Sequence, residues 1–292
     1  MSTNSQNIIG IDLGGTKIAL ARYDAKTWKI EEKKRIQTNA KEKFGQVFKQ
    51  MMNEIEAIKN DQTIAVGVGV PGLVDYRNGV ILKMPNIPGA ENFPLKERME
   101  KILKLPVSVG NDANCFSLAE AIFGAGKGHS VVVGLTLGTG VGGGIVIDGK
   151  LFRGSRGYAA EIGHMLLRPG APPFKTDDKR GDVEQFLSGS ALGKRCKQAK
   201  KPKEYLEGET CSFMHDDLFK EVAWLCTNLI HLIDPSVIVL GGSAGRALEP
   251  HLDSIKKELK KWMLPKTPLP ALSTSVLKGA ATLGAALLTK RN

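Results

Sequence analysis

Apolar positions in the first third of the chain alternate with short polar breaks. Ile8–Leu13 and Lys17–Tyr23 read as paired strands around a Gly-Gly turn, with Trp28–Gln37 as a third strand beside them. Phe44, Val47, Phe48, Met51, Met52, Ile55 and Ile58 then fall on one face of a long helix. The continuous apolar run Ile64–Val70 has the character of a buried parallel strand and ends at Pro71-Gly72. Val107–Val109 is a further short strand, ending at Gly110-Asn111-Asp112, and 113–123 is helical in pattern. In the second half, Ser130–Leu137 and Gly144–Ile147 are strands flanking "GTGVGG", whereas 166–181 is loop-like, with prolines at 169, 172 and 173. Leu218–Ile233 is a strong helix, Val237–Leu240 a strand before Gly241-Gly242, and an alanine-rich helical segment follows Gly279. Each half opens with strands around a glycine turn and continues with alternating helices and strands. That order predicts two similar α/β domains with mixed sheets and a cleft between them.

Composition narrows the class. A chain of 292 residues suits two ordinary domains, and 42% apolar with 24% charged residues is that of a globular protein. No apolar run is long enough to span a membrane, and "MSTNSQN" lacks the features of an export signal, which predicts a cytoplasmic protein. The four cysteines, 115, 196, 211 and 226, form no C-x-x-C pair, and in that compartment they are expected to be reduced. The net charge of +11 raises the question of nucleic acid. Its lysines cluster in Lys194–Lys203 and Ile255–Lys261. The second cluster lies beside Leu252, Ile255, Leu259 and Met263 at helical spacing, so these lysines read as a solvated face. No aromatic-basic interleaving accompanies them.

Three glycine turns follow apolar strands: Gly14-Gly15-Thr16, Gly138–Gly144 and Gly241-Gly242-Ser243. Glycine lets backbone N–H groups close on phosphate oxygens, and three such turns point to a nucleotide. Gly138, Gly140 and Gly143 match a dinucleotide fingerprint, but the fingerprint needs a following helix and "GGIVIDG" reads as a strand. No GxxxxGK[ST] is present. Asp12, at a strand end before the first turn, is placed to position magnesium; a turn acid capping the hairpin is the alternative. Asp112 in "GNDANC" reads as a general base or as a helix N-cap. Glu161 and His164 form a polar island in "GYAAEIGH", or simply an exposed loop.

Taken together, these motifs resemble the ROK family of sugar kinases, close to bacterial glucokinases, within the actin-like ATPase superfamily. The matching pieces are "IDLGGTKI", "GVGVPGLVD", "PNIPG", "VGNDANC", "LGTGVGGGIVIDGKLFRG", "AEIGH", "VEQFLSG", "DPSVIVLGG" and "GAATLGAAL", in the family's order over nearly the whole chain. The resemblance implies two actin-like (ribonuclease H-like) α/β domains, 1–115 and 116–278, with 279–292 packing back on the first. It implies Asp112 as catalytic base, and Gly72, Asn86, Asn111, Asp112, Glu161, His164 and Glu184 as sugar contacts. Asp12, Gly14, Gly15, Thr16 and Lys17 match the first phosphate loop, Gly138, Thr139, Gly140 and Gly142 the second, and Gly241 and Gly242 the adenosine-side turn. ATP is the implied donor, with inorganic polyphosphate as the alternative, and Mg2+ would be held by Asp12 through water. Glucose is the expected acceptor; fructose, allose, mannose and N-acetylmannosamine are the alternatives. A homodimer is the expected assembly, with no nucleic-acid or membrane partner.

One departure stands out. Most family members carry a CxCGxxGCxE element after the GH that binds zinc through three cysteines and that histidine. Here the stretch from Met165 to Gly189 contains no cysteine, so no structural zinc is expected. Two rival readings stand beside the kinase. A family repressor would carry a helix-turn-helix module ahead of "DLGGT", for which eleven residues before Asp12 are too few. A catalytically silent sugar-binding protein is disfavoured by the intact Asp112 and phosphate loops.

Overall fold

In a computed structural model, residues 5–39, 42–85, 87–199 and 202–290 are described, and the chain divides into two compact units. The first comprises Met1–Ala119, Arg153–Tyr158 and Lys278–Asn292, the second Glu120–Phe152 and Ala159–Leu277.

The first unit begins with a meander, β1 (Asn7–Leu13), β2 (Lys17–Asp24) and β3 (Ile30–Gln37). Trp28 has φ 60° and lies in the turn that precedes β3, although the sequence pattern extends the strand to it. β3 is almost wholly exposed and carries Glu31, Glu32, Lys33, Lys34 and Arg35, a charged edge that discourages pairing with another chain. Next come α1 (Phe44–Ile58), β4 (Thr63–Val70), the hairpin β5 (Leu73–Asp75) and β6 (Val80–Lys83), α2 (Leu95–Leu103), β7 (Val107–Asn111) and α3 (Asp112–Phe123). The sheet order is β3-β2-β1-β4-β7, with β1, β4 and β7 parallel. Ile9, Ile11, Leu13, Val66, Val68 and Val70 are buried in one core with Phe44, Val47, Met51 and Ile55 of α1. Burial of such side chains is the main favourable term in the unit's stability.

The second unit repeats this plan. β8 (Val131–Leu137), β9 (Val141–Ile147) and β10 (Lys150–Leu151) form the meander, followed by α4 (Val183–Leu187), α5 (Gly189–Arg195) and α6 (His215–Ile233). β11 (Val237–Gly241), α7 (Gly242–Ala247), α8 (Leu252–Leu259) and β12 (Ala271–Thr274) complete the unit. Its order, β10-β9-β8-β11-β12, has the same pattern of antiparallel and parallel neighbours as the first sheet. β9 begins at Val141, so Gly142, Gly143 and Gly144 are strand residues and the second glycine turn shrinks to 138–140. A strand therefore follows the G-x-G-x-x-G sequence, which does not build a dinucleotide fold.

The cysteine expectation is corrected. Cys196, just after α5, is disulfide-bonded to Cys211, with their Cα atoms 5.9 Å apart. The chain leaves α5 and returns to its end before the 3-10 turn 212–214, which places the two side chains together. Cys115 and Cys226 are buried free thiols. Among the described residues no helix is long and apolar enough to cross a membrane.

The last helix, α9 (Ala280–Leu287), belongs to the first unit and lies on β1 and β4. The approach is close because β1 and β4 carry glycine there. A Cβ on Gly10 would come within 1.9 Å of the Thr282 carbonyl, and one on Gly67 within 1.8 Å of that of Ala285. The buried Tyr23 hydroxyl and the Thr282 Oγ1 share a 2.8 Å hydrogen bond that ties β2 to the same helix.

Candidate active site

In the first unit, the candidate residues collect at the carboxyl ends of three parallel strands, where ligands bind in open α/β sheets. Asp12 on β1 pairs with Gly69 on β4, Gly69 with Gly110 on β7, and the next pair is Val70 with Asn111. Asp12 and Asp112 therefore lie at the same sheet edge, two strand spacings or about 10 Å apart across the sheet. Between them is the buried Cys115 thiol, whose pKa is pushed well up by burial and further by the charges of Asp112 and Asp12. The packing at this edge is close: a Cβ on Gly69 would meet Cys115 Sγ at 3.2 Å and the Asp112 Cα at 3.5 Å.

Asp12 is largely buried, and burial raises its pKa to about 6, with Arg35 pulling it partly back down. Arg35 reaches it across the register Asp12–Ala19–Arg35. The turn after Asp12 is closed by the Gly14 N–H donating to the Lys17 carbonyl at 2.9 Å, and Thr38 Oγ1 donates to the Gly14 carbonyl at 2.7 Å. Gly15, Thr16 and Lys17 follow at the tip and the start of β2, where Lys17 is exposed.

The helix-cap alternative for Asp112 is assigned to its neighbour. Asn111 Oδ1 accepts from the N–H groups of Ala113 (2.9 Å) and Asn114 (3.1 Å), while its Nδ2 donates to the Gly72 carbonyl at 3.2 Å. Gly72 has φ 90°, and a Cβ there would lie 2.3 Å from the Lys83 carbonyl. Asp112 Oδ1 accepts from Ala113 N–H at 2.8 Å, leading α3 with a carboxylate at its positive end. Arg153, not singled out in the sequence, joins this unit: its guanidinium lies 4.5 Å from the Tyr76 ring centroid and interacts with Cys115. Asn86 lies outside the described residues.

In the second unit, Gly138-Thr139-Gly140 forms a tight turn, its Gly138 N–H donating to the Gly140 carbonyl at 3.0 Å. The start of α5 braces it: Gly189 N–H donates to the Gly138 carbonyl at 2.7 Å, and Ser190 Oγ to the Thr139 carbonyl at 2.8 Å. Glu184 also belongs to this turn. Its Oε2 accepts the Val141 N–H at 2.8 Å, and a Cβ on Gly140 would collide with it at 2.5 Å. Glu161 precedes and His164 ends a single 3-10 turn packed on β9, where a Cβ on Gly163 would meet the Val141 carbonyl at 2.1 Å. Burial raises the Glu161 carboxyl, with His164 lowering it in part. His164 Nδ1 lies 3.6 Å from Asp182 Oδ2. Gly241 ends β11, and Gly242, at φ 76°, opens α7 against the Leu137 carbonyl. Asp182, whose Oδ2 makes the contact to His164, lies in the loop that leads into α4 and caps it. "DVEQ" places a capping aspartate three residues before a glutamine, a start signal for α4.

Comparison with known proteins settles the lineage. Residues 8–292 match the ROK family. The chain belongs to that family. A glucokinase of Thermotoga maritima is 30% identical, the match covering 97% of each chain. An N-acetyl-D-glucosamine kinase of Photobacterium profundum is 32% identical over 90% of this chain and 92% of its own. The structure of a ROK family glucokinase from Streptomyces griseus, in complex with glucose and AMPPNP, matches with a TM-score of 0.79 and 32% identity. That match covers 98% of this chain and all of the other. The fold of this ROK protein is accordingly the actin-like two-domain α/β fold.

Proposed function

We propose that this ROK protein is a sugar kinase that transfers the γ-phosphoryl group of ATP to a hexose hydroxyl, with glucose as acceptor. The observation that carries the reading is Asp112 at the carboxyl edge of β1, β4 and β7, with Asn111 capping α3 beside it. A carboxylate in that place can accept a hydroxyl proton as the oxygen attacks phosphorus. Asn111, Gly72, Asn86, Glu161, His164 and Glu184 are the proposed sugar contacts. The backbone N–H groups of Gly14, Gly15, Thr16, Gly138, Thr139, Gly140 and Gly142, with Lys17, are assigned to the phosphates. Gly241 and Gly242 are assigned to the adenosine side.

Asp12 fits a magnesium ion: a largely buried carboxyl with its pKa pushed up to about 6 gains from a nearby cation. Bound there with ATP, the ion would offset charge on the transferring group. A cytoplasmic homodimer is the setting we propose. A kinase for N-acetylhexosamines is the second reading, favoured by the 32% identity to an N-acetyl-D-glucosamine kinase. An ADP-release assay with ATP, run against a panel of hexoses and N-acetylhexosamines, decides between them. Turnover highest on glucose supports the first reading, and turnover highest on an N-acetylated sugar the second. No turnover on any panel sugar would overturn both.

A further inference from the structure

The loop after His164 is held without the family's zinc element. Leu167 and Arg168 N–H groups both donate to the Gly181 carbonyl, at 2.8 and 3.0 Å. Gln185 reaches back from α4: its Oε1 accepts the Gly181 N–H at 2.7 Å, and its Nε2 donates to the Asp178 carbonyl at 2.8 Å. Gly181, at φ 66°, allows the approach, since a Cβ there would lie 1.9 Å from the Arg168 carbonyl. Asp182 sits at the centre. Its side chain is 7% exposed; Oδ1 accepts the Gln185 N–H at 3.1 Å, while Oδ2 faces His164 Nδ1 at 3.6 Å and Arg180 Nε at 3.5 Å.

These donors do not fit zinc. The His164 nitrogen that faces inward meets a carboxylate oxygen already shared with a guanidinium, and a cation next to Arg180 would be repelled. Cys196 and Cys211 are bonded to each other. Among the described residues no three His, Cys, Asp or Glu side chains are grouped to hold a metal.

We propose that Asp182 is the positioning residue for His164, orienting its ring by charge. A lone pair on Nδ1 facing the Oδ2 atom would be repulsive, whereas an N–H there is attractive, so the neutral imidazole carries its proton on Nδ1. At 3.6 Å this is an electrostatic contact longer than a hydrogen bond, but the sign of the interaction still selects the tautomer. Arg180 Nε faces the same Oδ2 atom at 3.5 Å. Glu161, in the adjoining turn, also interacts electrostatically with His164, which lowers the Glu161 carboxyl in part. Nε2 is left as an acceptor for a sugar hydroxyl, and this last step alone rests on the sugar-kinase reading.

Asp182→Asn tests the proposal. Asparagine is an equally good helix cap, so its oxygen keeps the bond to Gln185 N–H and its amide now faces His164 as a donor. The tautomer should invert. Long-range 1H–15N spectra of histidine-labelled protein at pH 8, with His164 assigned from its loss in His164→Gln, read this directly. The expected result is Nδ1–H in the parent chain and Nε2–H in Asp182→Asn. Nε2–H in the parent, or no inversion in the variant, overturns the proposal whatever the substrate. The parent spectrum decides even where the variant fails to fold. With the best sugar of the panel, Asp182→Asn should raise KM roughly 10-fold or more with kcat little changed. An inverted tautomer with unchanged KM overturns the acceptor role of Nε2. Absence of any turnover in the parent defeats the kinase reading and leaves the tautomer result standing.

Discussion

Replacing Asp12 with asparagine should stabilise the first unit at neutral pH and have little effect in acid. The carboxyl titrates near 6 in the folded chain against 3.8 in the unfolded one, because burial opposes its charge more than Arg35 favours it. A raised folded pKa means that the native state holds its proton longer. The contribution is therefore fully favourable below 3.8 and is lost as pH rises through about 6. At pH 7.5 the ionised side chain costs about 3 kcal/mol relative to an isosteric neutral one, shrinking to about 0.5 kcal/mol at pH 4. Residual solvent contact and local relaxation reduce the first figure, so roughly 1–3 kcal/mol is the expected gain.

Tryptophan fluorescence can follow the first unit alone. Trp28 lies in that unit, whereas Trp224 and Trp262 pack edge to face in the second, 5.8 Å apart. In a Trp224→Phe/Trp262→Phe background, urea unfolding in EDTA at pH 7.5 and pH 4 would compare the chain with and without Asp12→Asn on the same probe. Every other titrating group cancels in the difference. A stability difference that is the same at both pH values would refute the reasoning, because the carboxyl would then be ordinarily solvated in the folded chain.

The remaining predictions concern chemistry and the second core. Asp112→Asn should keep its circular dichroism yet lose roughly 10²–10⁴-fold in kcat; near-parent turnover would remove Asp112 as the base. Arg195 and Glu221 form a buried pair at 2.6 Å, with side chains 7% and 4% exposed. Arg195→Leu removes the guanidinium bonded to that carboxylate, leaving only the weaker influence of Arg168, and should cost about 3–5 kcal/mol, much of it restored in the double variant with Glu221→Leu, as read by thermal unfolding. Reducing Cys196–Cys211 opens a loop of 15 residues and should cost the second unit roughly 3 kcal/mol on the chain-entropy account. Unchanged unfolding followed through Trp224 and Trp262, with thiol titration confirming reduction, would count against a stabilising role.

Most of the fold was legible because its signals are local. The helical stripe from Phe44 to Ile58 and the apolar run ending at Val70 appear as α1 and β4, within a residue or so of the expected limits. What the sequence hid was non-local or short. β12 contains only four residues and takes its place through parallel pairing with β11. α4 and α5 are brief and share Ser188, which ends one helix and caps the next. The disulfide was missed because compartment was used as a guide to oxidation state, while pairing depends on where the chain leaves α5 and returns. Among the candidate site residues, Asp12, Asp112 and the glycine turns show themselves by breaking apolar strands. Glu184 does not, since only the structure reveals that it holds the Val141 N–H.

The repeated sheet gives a reason for the division of roles proposed above. Both units use one topology, so both present a hairpin turn and parallel strand ends at equivalent places. Topology fixes those places, and side chains decide what each can do. In the first unit β1 reaches its turn through Asp12, and β7 hands over to α3 through Asn111-Asp112, which equips that edge with two acids. In the second, β8 reaches its turn through Leu137-Gly138, with no acid at the equivalent point, and its carboxylate arrives from α4 as Glu184. That carboxylate accepts a backbone N–H, so it shapes the turn. A fold duplicated without its acids can specialise: on the proposed reading, one copy would move protons and attract a cation, and the other would bring backbone donors close to an anion. The same reasoning makes Asp182 intelligible. On the proposal made above, the carboxylate that orients His164 comes from the loop leading into α4.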